Sequence, residues 1–363
     1  MLSILHILAF LTGLALVLLT LLSAVRTFVL PRSASDKLTG ILFLTMGFFF
    51  NQIARRLPTY AQQDRLLAFY APISLLSLLP FWLLLVAIGF MFMFWGAGIS
   101  SLAEAYVMSG SSLLTLGFSR GNSLGHATLA FVEATIGLIL VALLIAYLPT
   151  MYSAFSERER SVLLLESYAG TPPSAVELVL RMHRNRLLQE LGDFWTNWSN
   201  WFAAISESHT SLAALVFFRS PQPDHSWVNA AGTVLDAGAL YMSVLDLPWD
   251  ARVALCLRSG YLALRAIANF FRLRYNPDPH FPDDGISISR EEFDQVYELF
   301  VSAGVPVKGD RELAWLDFAG WRVNYDTVLL SLAALTHAPP ARWSGNRPHL
   351  TRTGRQQNRI SQN

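Results

Sequence analysis

The chain has 363 residues, of which 53% are hydrophobic and 15% charged, and 27 Lys and Arg against 26 Asp and Glu leave a formal net charge of +1. A soluble domain averages about 25% charged residues, so this deficit, with a mean hydropathy of +0.39, points to a membrane; neither the charge balance nor any basic stripe points to nucleic acid. The single cysteine, Cys256, rules out an intrachain disulfide and a cysteine-based metal site, and fits a reducing compartment.

A membrane helix needs about 20 apolar residues. Residues 1–25 are apolar but have neither the basic start nor the small-residue cleavage site of a secretory signal, so Leu2–Leu30 is expected to stay as a membrane helix, stopped by Pro31. Leu38–Ala54 is apolar but short, and lies between Arg32, Lys37 and Arg55, Arg56. The positive-inside rule favours an interfacial helix on the inner surface, which gives three spans with the first residue outside. The alternative is a fourth span with the first residue inside. Leu67–Trp95 and Leu129–Tyr152 are expected to span, and Pro80 and Pro149 are tolerated within them.

Between these two helices, Ile99–Leu114 suits a helix of about four turns, followed by Thr115-Leu116-Gly117-Phe118. The segment is too short and polar to span and too apolar for an external loop, so a re-entrant loop is expected. Potassium-selective filters line an axis with carbonyl oxygens of a Thr-Val-Gly-Tyr-Gly type strand. Glycine is needed where φ turns positive, and the helix before the strand aims its partly negative end at the pore. Thr115, Gly117 and Phe118 suit these roles, with Leu116 in place of valine.

After Ser156-Glu157-Arg158-Glu159-Arg160 the composition turns to mixed polar and apolar, with helical patterns. Ser174–Leu191 reads as a helix. Trp195, Trp198 and Trp201 form a stripe expected in a core. Arg258, Arg265 and Arg272 mark one solvated edge of a mostly buried helix. Glu207, His209, His225 and Asp236 are polar candidates whose spacing specifies no metal. No Walker loop, GxGxxG turn, HExxH or GxSxG elbow occurs, so no enzyme, resident metal or cofactor is expected. Ala341–Asn363 reads as a disordered basic tail able to touch anionic lipid.

The chain resembles the bacterial two-transmembrane pore-loop ion channels, in a subgroup with an extra N-terminal helix and a helical cytoplasmic domain. The matching stretches are Thr27–Arg32, Leu102–Gly110, Thr115–Phe118, Ile145–Pro149 with Tyr152–Ser156, Glu207-Ser208-His209, Phe218-Arg219-Ser220 and Ser226-Trp227, within residues 20–245. The resemblance implies an all-α membrane protein in four parts. Residues 1–66 hold the first helix and the interfacial helix. Residues 67–155 form the pore module, with outer helix 67–95, pore helix and filter 98–121 and inner helix 127–152. A helical cytoplasmic domain covers 156–340 and the tail 341–363.

It also implies a homotetramer in the inner (plasma) membrane, in contact with lipid, that passes potassium or sodium down its gradient. Filter residues would be Thr115, Leu116, Gly117, Phe118 and Ser119. Glu104 would sit behind the filter, Glu133 would face the outer vestibule near Arg120, and Gly137 is a candidate gate hinge. The family continues Gly-Asp where this chain has Ser119-Arg120. Ser119 is then expected to bear the cost of a positive φ, and Gly121 is a candidate to take over that role. Four copies of Arg120 would repel cations at the mouth. A non-conducting membrane scaffold or sensor on a degenerate channel fold is the alternative.

Overall fold

The computed structural model describes residues 4–30 and 36–343. Pro31, Arg32 and residues 344–363, with most of the expected tail, lie outside them. Among the described residues the protein is all-α, with one isolated bridge between Leu245 and Val307. Four helical stretches are long and apolar enough to cross a membrane. The chain divides into two compact units, one of residues 1–153 with 211–218 and one of 154–210 with 219–363.

In the first unit, α1 (Ile4–Phe28) pairs with α4 (Tyr70–Gly96), and α2 (Lys37–Ala54) and α3 (Tyr60–Leu67) lie between them in sequence. The α1–α4 contact brings backbones together. A Cβ on Gly13 would lie 2.3 Å from Gly89 O, and one on Gly89 would lie 2.6 Å from Val17 Cγ2. Small residues at a helix crossing let two apolar helices pack closely, the contact by which helices able to cross a membrane associate. α5 (Leu102–Leu113) is shorter at both ends than the expected Ile99–Leu114, because Gly98 breaks the chain at φ +109 and Ser101 caps Glu104 N.

α6 (Leu124–Ala169) does not stop at Tyr152 as expected but runs on to Ala169, 46 residues in all. Pro149 removes a single helical hydrogen bond, and the polar run from Ser156 marks a change of surroundings rather than the end of the helix.

The second unit is built around α9 (Trp227–Ser243), buried along nearly its whole length and packed by α7 (Ala175–Arg184), α10 (Ala251–Phe270), α12 (Arg311–Arg322) and α13 (Asp326–Thr336). Side-chain caps start most of these helices: Ser174, Ser226, Asp250 and Asp310, with a Ser289–Glu292 capping box on α11 (Arg290–Ser302). The expected helix to Leu191 ends at Arg184, and Arg186 turns to φ +59. Trp195, Trp198 and Trp201 on α8 (Gly192–Ser211) are buried, as a core stripe requires. Arg258 is exposed and Arg265 half-buried on α10, but Arg272 does not continue their edge as expected, because the helix ends at Phe270 and Arg272 turns to φ +55. Ala341 and Trp343, placed in the tail by composition, are buried, and Trp343 O accepts from Arg322 Nη2 at 2.6 Å.

A buried ionic group lies at the centre of this unit. Arg322 is fully buried and donates to Asp236 on α9 and, at 2.7 Å, to Asp326 on α13. Tyr325 Oη donates to Asp236 at 2.9 Å, and Ser287 Oγ to Asp326 at 2.7 Å.

His209 is also fully buried, 3.4 Å from Arg158 Nη1 and with its ring 4.7 Å from that of Trp227. Arg158 is paired with Glu159 at 2.7 Å. Burial, then the Arg158 charge, holds the His209 pKa well below its ordinary value. The unfolded ring takes up a proton near pH 6.5, whereas the folded ring resists until lower pH, so protons favour the unfolded chain. His209's contribution to stability is intact above about pH 6.5 and falls below it by up to about 1.4 kcal/mol per pH unit. Thermal unfolding in detergent from pH 7.5 to 5 is expected to show this decline, and His209→Gln to remove His209's share of the slope.

Candidate functional site: the loop after the short helix

The loop between α5 and α6 is organised by Ser111, which is buried on α5. Its carbonyl accepts from Leu116 N at 2.8 Å and Gly117 N at 3.3 Å. Its Oγ accepts from Ser119 N at 3.1 Å. Thr115 N donates to Ser112 O at 3.0 Å, and Leu114 N to Gly110 O at 3.2 Å. These N–H groups thus turn back onto the last turns of α5. Among the described residues, no hydrogen bond is accepted by the carbonyls of Thr115, Leu116, Gly117 or Phe118. The same residues are exposed, Leu116 at 60% and Phe118 at 68%.

Backbone conformation alternates along the loop, with Thr115 at φ +56 and Gly117 at φ +73. Glycine adopts this region freely, but a β-branched residue does so only under strain. Ser119, expected to carry that strain, is not among the residues with positive φ, and neither is Gly121; the strain sits at Thr115. Gly121 instead lies against His126, where a Cβ would meet the His126 Cβ at 2.3 Å.

The acidic residues change places relative to expectation. Glu104 is exposed in the first turn of α5, takes a hydrogen bond from Ser100 Oγ, and has its N–H capped by Ser101 at 3.2 Å. A carboxylate suits the positive end of a helix, and nine residues of rise, about 14 Å, separate it from the loop end. It therefore does not sit behind the loop. Glu133 on α6 is fully buried and does not face Arg120: its Oε1 lies 2.5 Å from Ser109 Oγ, which is 3.0 Å from Ala87 O. This chain of contacts ties α4, α5 and α6 together one turn before the loop.

Gly137 touches the end of α5, where a Cβ would come 2.7 Å from Leu113 O, so close packing fixes this glycine. Arg120 is exposed, and no ion pair to it is found among the described residues.

Ser109 and Ser111 were not singled out from sequence as site residues. Their signal was a cluster of three serines at the end of a short helix, of which Ser109 and Ser111 have partners outside it that only the fold reveals. The polar candidates of the second unit are dispersed. Glu207 is exposed, His209 faces Arg158, His225 faces Glu166, and Asp236 belongs to the Arg322 group. Among the described residues no three His, Cys, Asp or Glu side chains could hold a metal. No family model, curated protein or solved structure matches the chain.

Proposed function

We propose that four copies of this chain surround an axis lined by the 115–118 loop and pass a monovalent cation, potassium or sodium, down its gradient across the cell's inner membrane. One observation carries the reading: a short helix returns a loop whose N–H groups bond backward, while among the described residues no donor reaches the carbonyls of the four successive exposed residues 115–118. Carbonyl oxygens are the ligands with which a filter replaces an ion's water. Exposed apolar side chains at Leu116 and Phe118 suit contact with neighbouring copies. The buried Ser109–Glu133 contact and the approach of Gly137 to Leu113 hold the loop in position. The second unit lies in the cytoplasm in this reading.

Arg120 favours a second reading, a membrane scaffold or sensor that conducts nothing, because four exposed guanidinium groups at one mouth repel cations. Reversal potentials in planar bilayers, with potassium and sodium on opposite sides, separate the two. The channel reading expects cation-selective current, increased at low salt by Arg120→Asp because screening is weakest there. No current at any voltage, from either protein, with either ion, would refute it.

A further inference from the structure

α1 and α4 set the direction of the membrane, and they run antiparallel. His6 and Phe10 lie against Gly96, Gly13 against Gly89, and Trp82 Nε1 donates to Ser23 Oγ at 3.2 Å. A further span at α2 would turn back after Phe28 and retrace α1, meeting its residues in descending order. The contacts ascend instead. Ser23 Oγ donates to Asp36 Oδ2 at 2.6 Å, and Thr27 Oγ1 lies 2.8 Å from Thr39 Oγ1. Farther along, α2 meets the first residue of α4. Tyr70 Oη donates to Phe43 O at 3.1 Å, and its ring stands edge-on to Phe43 and Phe50. A Cβ on Gly47 would lie 3.4 Å from the same Tyr70 oxygen.

α2 therefore starts near the level of Trp82, about midway along α4, and heads toward α4's beginning. The twelve residues of α4 between Tyr70 and Trp82 rise about 18 Å, well short of the 30 Å hydrocarbon core. Its two sides differ in surroundings and not in polarity. Phe43, Gly47, Phe50 and Ala54 turn toward the protein, while Ile41, Leu44, Phe48, Phe49 and Ile53 are 52–77% exposed. An apolar face of that size next to two membrane helices requires a cover, and Arg55 and Arg56, both exposed, follow directly.

We propose that α2 is not a fourth span but lies within one leaflet, its Ile41–Ile53 face against acyl chains and Arg55 and Arg56 at the lipid headgroups. No contact that places it involves residues 115–118, so its position is independent of ion passage.

Thiol chemistry tests this with little background, because the only native cysteine, Cys256, is 1% exposed and burial pushes its thiol up to about 12. Ile4→Cys and Arg56→Cys change exposed side chains and are expected to preserve the fold. In oriented vesicles a membrane-impermeant maleimide is expected to label the two from opposite sides. Labelling from the same side means α2 crosses, and overturns the proposal.

Leu44→Cys carrying a fluorophore then reads depth. Quenching is expected to be stronger from lipids with a nitroxide near the headgroup than near the chain end. The reverse order places Leu44 at the bilayer centre, and quenching by neither means that protein, such as a second copy, covers the face. Either result overturns the proposal.

Discussion

Gly117→Ala is expected to lower cation flux into liposomes by about 5- to 30-fold while the protein still purifies and inserts. Gly117 holds φ +73 with no atom within 4 Å of an added Cβ, so the penalty is conformational and not a clash. An L-residue in the left-handed region costs about 1–2 kcal/mol, a factor of roughly 5–30 in population. The loop then spends most of its time with its carbonyls elsewhere. Thr115→Gly acts on the same loop with the opposite sign, since it removes the strain at φ +56 but also the hydroxyl that donates to Leu114 O at 2.8 Å. Its folded protein should be as stable as the parent or slightly more so, with altered ion preference. Unchanged flux in Gly117→Ala, with potassium and sodium each measured, would mean that these carbonyls do not line the path.

Arg322→Met should be the most damaging single change in the second unit. It leaves Asp236 and Asp326 buried without their cation and Trp343 O without its donor. Removing one partner of a buried pair costs about 3–5 kcal/mol, a large part of the 5–15 kcal/mol that holds a typical domain. Burial works against the guanidinium charge, but Asp236 and Asp326 more than compensate and keep its pKa above the ordinary value. The readout is thermal unfolding in detergent. The triple variant Arg322→Met, Asp236→Asn, Asp326→Asn should recover much of the loss, because no isolated charge then remains. A single variant that melts with the parent would show that the group contributes little.

The helices long and apolar enough to cross a membrane and the short helix before 115–118 were legible in the sequence, because apolar length and polar interruption are local properties. So was the tryptophan core of α8, which needs only helical spacing. What escaped depends on partners distant in sequence. Asp236 and Arg322 stand 86 residues apart, and nothing near either one announces the other. Glu104 and Glu133 were both recognised as acidic groups near the loop, but their places followed from which end of α5 each meets, and helix direction in space is not written in spacing. Likewise, Pro149 and the charged run after Ser156 read as a terminus, although a helix leaving lipid has no physical reason to stop there. For α2, length and hydropathy allow a crossing, whereas the ascending Ser23–Asp36 and Thr27–Thr39 contacts oppose one.

The backbone contact between α1 and α4 carries a warning for any survey of tolerated substitutions. At Gly13 and Gly89 even a methyl group would strike the facing helix, so saturation mutagenesis would mark both as intolerant, beside Gly117. Two of these three would owe their rigidity to the join between neighbouring helices and the third to its backbone torsion, and only replacement chemistry that separates shape from torsion would tell them apart.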